Sequence, residues 1–170
     1  KKEIVMQEEE GIRDMIVTGV QTCALPILGP TISPLNGYAA NVIAGFHSVS
    51  TPAELPPLLD TFTEQDPVGV KIPLEDGFLR PIWPLHTPEM RDAIVAETER
   101  RGVPRYIHAS DPKMTRLALT MDPHALVHAP QKGGKRLAQE IADQGAFVAP
   151  TLSIIGAATL PWHLALLENA

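Results

Sequence analysis

Two histidines stand at the ends of short apolar runs, one structural unit apart. Arg105-Tyr106-Ile107-His108-Ala109-Ser110 is one run and Ala125-Leu126-Val127-His128-Ala129-Pro130 is the other. Each reads apolar, apolar, His, Ala, then a turn residue. Upstream, Val68-Gly69-Val70-Lys71-Ile72-Pro73-Leu74 places a lysine inside a similar run. Neutral imidazole is the commonest protein ligand for zinc and related ions. Three potential ligands ending successive strands point to a metal site at one mouth of a parallel barrel, where polar groups at strand C-termini serve chemistry.

Each of these residues also has a bland explanation. A lysine between Val70 and Ile72 is costly to bury as an unpaired cation. Lys71 can snorkel from a strand edge, act as a Schiff-base nucleophile, or carry a carbamate whose oxygens bridge metal ions. Carbamylation resolves the burial cost most directly, because the buried charge becomes negative and ligated. A lone strand histidine is usually a partly buried, hydrogen-bonded residue. For His108 and His128 it is their equivalent places in consecutive units that favour ligation. His124 precedes its strand and reads as a surface residue, and His163 falls in the last apolar stretch. His47 and His86 lie in loops that could face the site, with solvation the simpler reading for both. Thr151, at the end of a later strand, is a candidate substrate contact. Glu75 and Asp76 follow the Lys71 strand, where they could lie on the catalytic face, and receive no role.

The elements that must position these groups alternate between helix and strand. Residues 30–50 are rich in Gly, Pro, Ser and Asn and read as loop. Thr51-Pro52-Ala53-Glu54 opens a helix running to about Glu64, with Thr as N-cap, Pro in the first turn and Glu completing a capping box. Thr87-Pro88-Glu89 opens a second helix, closed by Gly102. Its Met90, Ala93, Ile94 and Glu97 share one stripe. Asp111-Pro112 opens a third helix carrying Met114, Leu117 and Leu119. A fourth spans about Lys132 to Gln144, with Leu137, Ala138, Ile141 and Ala142 facing inward. Ala146 to Ser153 reads as a further strand. This order predicts an α/β fold with parallel strands, a partial eight-unit (β/α) barrel of four to five units.

The chain has 170 residues, a net charge of −6, 17 prolines and one cysteine. The acidic balance argues against nucleic acid or an anionic membrane as partner. A single cysteine, Cys23, excludes an internal disulfide framework. No apolar run is long enough to cross a membrane, and the start shows no signal-peptide pattern. Localisation is left open, with the cytoplasm slightly favoured; oligomeric state is unknown. Gly11-Ile12-Arg13-Asp14 and Val17 to Ile27 resemble a translated sequencing adaptor, with Met15-Ile16 as its variable index. Residues 1–27 are therefore expected to be non-native and 28–170 to be a barrel fragment open at both ends. Met15 to Val20 also has strand-like composition.

Several motifs taken together carry a family resemblance. They are Gly69-Val70-Lys71-Ile72, Thr87-Pro88-Glu89 continuing to Glu97, and Arg101-Gly102 leading to Ile107-His108-Ala109. Leu126-Val127-His128-Ala129-Pro130 and Val148-Ala149-Pro150-Thr151-Leu152 complete the series. Val68 to Ser153 thereby resembles the metal-dependent amidohydrolase superfamily, in its imidazolonepropionase-like branch, which includes prolidase-type dipeptidases. The resemblance implies a distorted eight-stranded barrel holding one or two divalent ions such as zinc. Lys71 matches the bridging carbamylated lysine of the fourth strand, and His108 and His128 match the histidine ligands of the fifth and sixth. The family's first-strand His-x-His pair is absent, and its eighth-strand aspartate has no counterpart.

The implied reaction is hydrolysis of an amide or related C–N bond of a small-molecule substrate by metal-activated water. The chain by itself is expected to bind zinc weakly at best and to lack turnover. One rival is a class I aldolase-like enzyme using Lys71; another is a non-catalytic barrel fragment.

Overall fold

The computed structural model describes residues 30–38, 46–63, 68–77, 83–130 and 132–149. Thr151, Cys23, His163 and the adaptor-like segment 1–27 lie outside those residues. Six strands form one sheet: β1 (Thr31–Pro34), β2 (Phe46–Val49), β3 (Val70–Pro73), β4 (Arg105–His108), β5 (Ala125–Leu126) and β6 (Phe147–Val148). Every pairing is parallel, in the order β2-β1-β3-β4-β5-β6. Four helices accompany them: α1 (Leu55–Thr63), α2 (Pro88–Arg101), α3 (Pro112–Leu119) and α4 (Gly134–Asp143). From β3 onward strand and helix alternate, which is the order a parallel sheet requires.

Helix starts follow the local chemistry. The Thr87 hydroxyl accepts the Met90 amide proton, and Asp111 accepts from Lys113 and Met114 amides, each ahead of a proline at the first turn. Gly102 adopts φ 66° and returns its N–H to Thr98 and Glu99 carbonyls, closing α2. At Thr51 the Glu54 carboxylate accepts from both the Thr51 amide (3.0 Å) and hydroxyl (2.8 Å), and the short 3-10 turn Pro52–Glu54 leads into α1. The fourth helix starts two residues later than expected, after Gly133 at φ 132°. Leu137, Ala138 and Ile141 are buried there, but Ala142 is exposed.

The stretch 30–50, expected as loop, contains β1 and β2. Ile32 is fully buried, Thr31 pairs with Lys71, and the Lys71 amide donates to the Pro30 carbonyl at 3.0 Å. Four-residue strands beside Gly and Pro are too short to display a period-2 pattern. Their order is set by tertiary pairing. The expected strand around His128 is also shorter. The ladder ends at Leu126, although Val127 N–H still reaches the Ile107 carbonyl at 2.9 Å.

Register fixes the faces. Val70 pairs with Arg105, Lys71 with Tyr106, Ile72 with Ile107 and Pro73 with His108. Alternation puts Ile72 and Ile107 on one face. Both are fully buried in a cluster with Met90, Ile94, Met114, Leu126, Leu137 and Ile141. Lys71, Tyr106 and His108 belong to the opposite face. Below them Arg105 anchors the start of β4. Its guanidinium donates to the Met121 carbonyl (2.7 Å), the Asp122 carbonyl (2.9 Å) and the Thr98 hydroxyl (3.0 Å). That fork ties β4 to the end of α2 and to the turn after α3.

Candidate metal centre

Lys71 is the second residue of β3, two short of its C-terminal end, whereas His108 ends β4 and His128 lies two residues beyond β5. Their exposures are 1%, 4% and 6%. Lys71 lies one layer below His108 on the same face, since its register partner is Tyr106 and His108 is two residues further on. The His108 and His128 rings meet edge to face, with centroids 4.6 Å apart. The bend after Leu126 turns His128 toward its neighbour; a regular continuation of β5 would set Val127 opposite His108 instead.

Two residues given no role in the sequence, Tyr38 and Glu75, crowd His108, and Trp83 backs Tyr38. The Tyr38 ring stacks on the His108 ring at 5.1 Å and 19°, and Trp83 packs edge-on against Tyr38 at 5.0 Å. Glu75 is 1% exposed and brings its Oε2 within 3.5 Å of His108 Nε2. The same carboxylate accepts from the Ser110 hydroxyl and from the Gly77 amide at 3.1 Å. Burial pushes the Glu75 carboxyl up. The His108 ring, the Ser110 hydroxyl and the Gly77 amide together outweigh it, so the group sits below its ordinary value and is ionised at neutral pH.

The remaining histidines separate from this cluster. His86 is buried, with Nε2 3.1 Å from the Ile32 carbonyl. It therefore fastens the loop before α2 to β1 and is not the solvated residue its loop position implied. His47, half-buried, packs against Phe62 at the β2 edge. His124 is exposed at the opposite end of β5, between Tyr106 and Phe147.

Among the described residues, Glu75, Asp76 and Asp111 also bring three carboxylates within 4.8 Å of one another. Each has a structural occupation. Asp76 pairs with Lys113 at 3.1 Å, Asp111 caps α3, and Glu75 serves His108 and Ser110.

No protein-family model and no curated protein matches the chain. Solved structures do. An amidohydrolase matches at a TM-score of 0.59 and 20% identity, covering 82% of this chain and 43% of that one. The ochratoxinase of A. niger matches at 0.65 and 12%, over 84% and 43%. A prolidase complexed with N-methylphosphonate-L-proline matches at 0.60 and 18%, over 73% and 35%.

The fold is a parallel α/β sheet similar to part of these structures.

At these identities the likeness is one of fold. The chain spans less than half the length of each of these three structures. β3, β4 and β5 are neighbours in the sheet, and His108 and His128 meet at its C-terminal edge with Lys71 one layer below His108. No helix among the described residues is long and apolar enough to cross a membrane.

Proposed function

We propose that this chain is part of a metal-dependent hydrolase that cleaves an amide or related C–N bond of a small molecule. One observation carries this: the rings of two buried histidines meet with centroids 4.6 Å apart, and Lys71 is buried one layer below His108 on the same face. The donor set suits a divalent ion such as zinc, one or two per site. Imidazole nitrogens are good zinc ligands, and a lysine this deeply buried is better accommodated as an anionic carbamate than as an ammonium. When bound, the ion would supply Lewis-acid activation of a water and of the substrate carbonyl.

The chain's own residues would then have distinct tasks. His108 and His128 would hold the ion through neutral nitrogens. Lys71, once carbamylated, would add an oxygen ligand and remove the buried positive charge. Tyr38, stacked on His108, keeps water off one face of that ring. Thr151, outside the described residues, would contact substrate. The reaction is assigned to the complete barrel, because the matched structures are more than twice as long as their shared part. Residues 1–27, by their adaptor-like pattern, would contribute nothing to it.

Calorimetric titration of the chain with zinc in bicarbonate buffer tests the ligand set. A weak single-site isotherm is expected, at least tenfold weaker in both His108→Ala and His128→Ala. Binding unchanged in both variants, with circular dichroism showing them folded, contradicts it.

A further inference from the structure

We propose that Ser33 is a positioning residue for Lys71: its hydroxyl donates a hydrogen bond to the carbamate that Lys71 carries. This rests on the carbamylated lysine proposed above. Ser33 is fully buried, and its Oγ has no hydrogen-bond partner among the described residues. Buried hydroxyls are nearly always paired, because an unpaired one gives up its hydration for nothing. Such an orphan marks a place where a polar group beyond the bare chain belongs. β1 runs parallel to β3, and Thr31 is the partner of Lys71. Two residues on, Ser33 returns to the same face, one strand over and about 6.6 Å nearer the C-terminal edge. That is also the layer of Pro73 and His108, which pair across β3 and β4.

Carbamylation needs only dissolved carbon dioxide as co-reactant. The unprotonated Nζ adds to its carbon, one C=O electron pair moves onto oxygen, and the nitrogen gives up a proton to water. The product is an anion with two oxygens, built on a side chain that is 1% exposed. A buried anion is tolerated only when its lone pairs are filled. Metal ions would take some of them, and a hydroxyl donor suits another, since hydrogen bonds to an ionised acceptor are the strong ones. The Ser33 and Lys71 α-carbons are about 8 Å apart by this offset, within the span of a lysine extended by a carboxyl group. The neighbouring side chains do not supply the donor. Pro73 has none, and Glu75, buried and ionised just beyond β3, only accepts.

Carbon NMR of the full chain in isotope-labelled bicarbonate, with zinc and without substrate, reads a lysine carbamate directly. The unmodified chain should show a carbamate resonance that Lys71→Ala abolishes. Ser33→Ala should need at least about tenfold more bicarbonate for half occupancy, because a hydrogen bond to a charged group shifts an equilibrium by a factor of ten or more. Ser33→Thr, which keeps the hydroxyl, should retain occupancy. Urea midpoints in bicarbonate-free buffer supply the second readout. There Ser33→Ala should be at least as stable as the unmodified chain, because it removes a buried group that has no partner. A clear loss of stability in that buffer overturns the proposal, since the hydroxyl would then be paired within the chain. Unchanged half occupancy in Ser33→Ala overturns the role of Ser33 and leaves the carbamate standing. No carbamate resonance in the unmodified chain overturns the carbamylated lysine, and the role of Ser33 with it.

Discussion

Replacing Arg105 with Met should destabilise the chain by about 3–5 kcal/mol, the range for stranding buried partners of a removed charge. The side chain is 6% exposed and begins the strand that ends in His108. Its partners differ in weight. Asp122 and Glu99 carboxylates lie 3.2 and 3.5 Å away but are 70% and 59% exposed, so these ion pairs contribute at most about 1 kcal/mol each. The carbonyls of Met121 and Asp122 and the Thr98 hydroxyl lose a charged donor. Such bonds are worth about 1.5–3 kcal/mol each and do not add fully. Thr98 is partly protected because its hydroxyl still donates to Ile94 at 2.7 Å. Urea unfolding followed by tryptophan fluorescence measures the loss, and the melting temperature should drop by roughly 6 to 20 °C for a chain of this size. Arg105→Lys should recover only part, because an ammonium cannot serve a planar fork of acceptors. A loss below about 1 kcal/mol for Arg105→Met would refute the view that this fork anchors β4.

Three further outcomes follow from the packing. Burial holds the His86 imidazole below its ordinary 6.5, with the Arg91 charge acting in the same direction and the Ile32 carbonyl partly opposing. The unfolded chain therefore takes up more protons as pH falls, so stability is full above about 6.5 and declines below it. The urea midpoint should show that slope, and His86→Gln should reduce it, leaving the part due to His47, which burial shifts the same way. Gly69→Ala should cost about 1–3 kcal/mol, read from the same urea curves. Its Cβ would collide with the Pro104 carbonyl and lie 2.5 Å from Tyr106 Cε2, inside the β3–β4 junction. Lys71→Ala should abolish any bicarbonate dependence of zinc binding, whereas borohydride trapping of a carbonyl compound on Lys71 would favour Schiff-base chemistry instead.

Much of the framework was legible because it is written locally. Thr87-Pro88, Asp111-Pro112 and Gly102 mark helix ends by side-chain and backbone chemistry alone, and the structure places those ends within a residue or so. β3 and β4 announce themselves as apolar runs because parallel strands are buried on both faces. β1 and β2 were illegible for the opposite reason: with four residues each, their identity comes from pairing with distant segments. Glu75 could be placed after the Lys71 strand from sequence, but nothing local shows what its carboxylate meets. Only the approach of Ser110 and His108, 35 and 33 positions away, makes it a buried anion. His86 was misplaced with β1, since the carbonyl that holds it belongs to a strand not visible in the sequence. The His108–His128 contact was anticipated from matching strand ends, although the route to it is a bend after Leu126.

The most direct test of the central claim is X-ray absorption at the zinc edge on the chain loaded with zinc in bicarbonate. The account predicts two histidine nitrogens at about 2.0–2.1 Å with the remaining ligands oxygen, and loss of the imidazole scattering in the His108→Ala, His128→Ala double variant. A sulfur ligand at about 2.3 Å, which would put the ion on Cys23, or a histidine signal unchanged in the double variant, would contradict it.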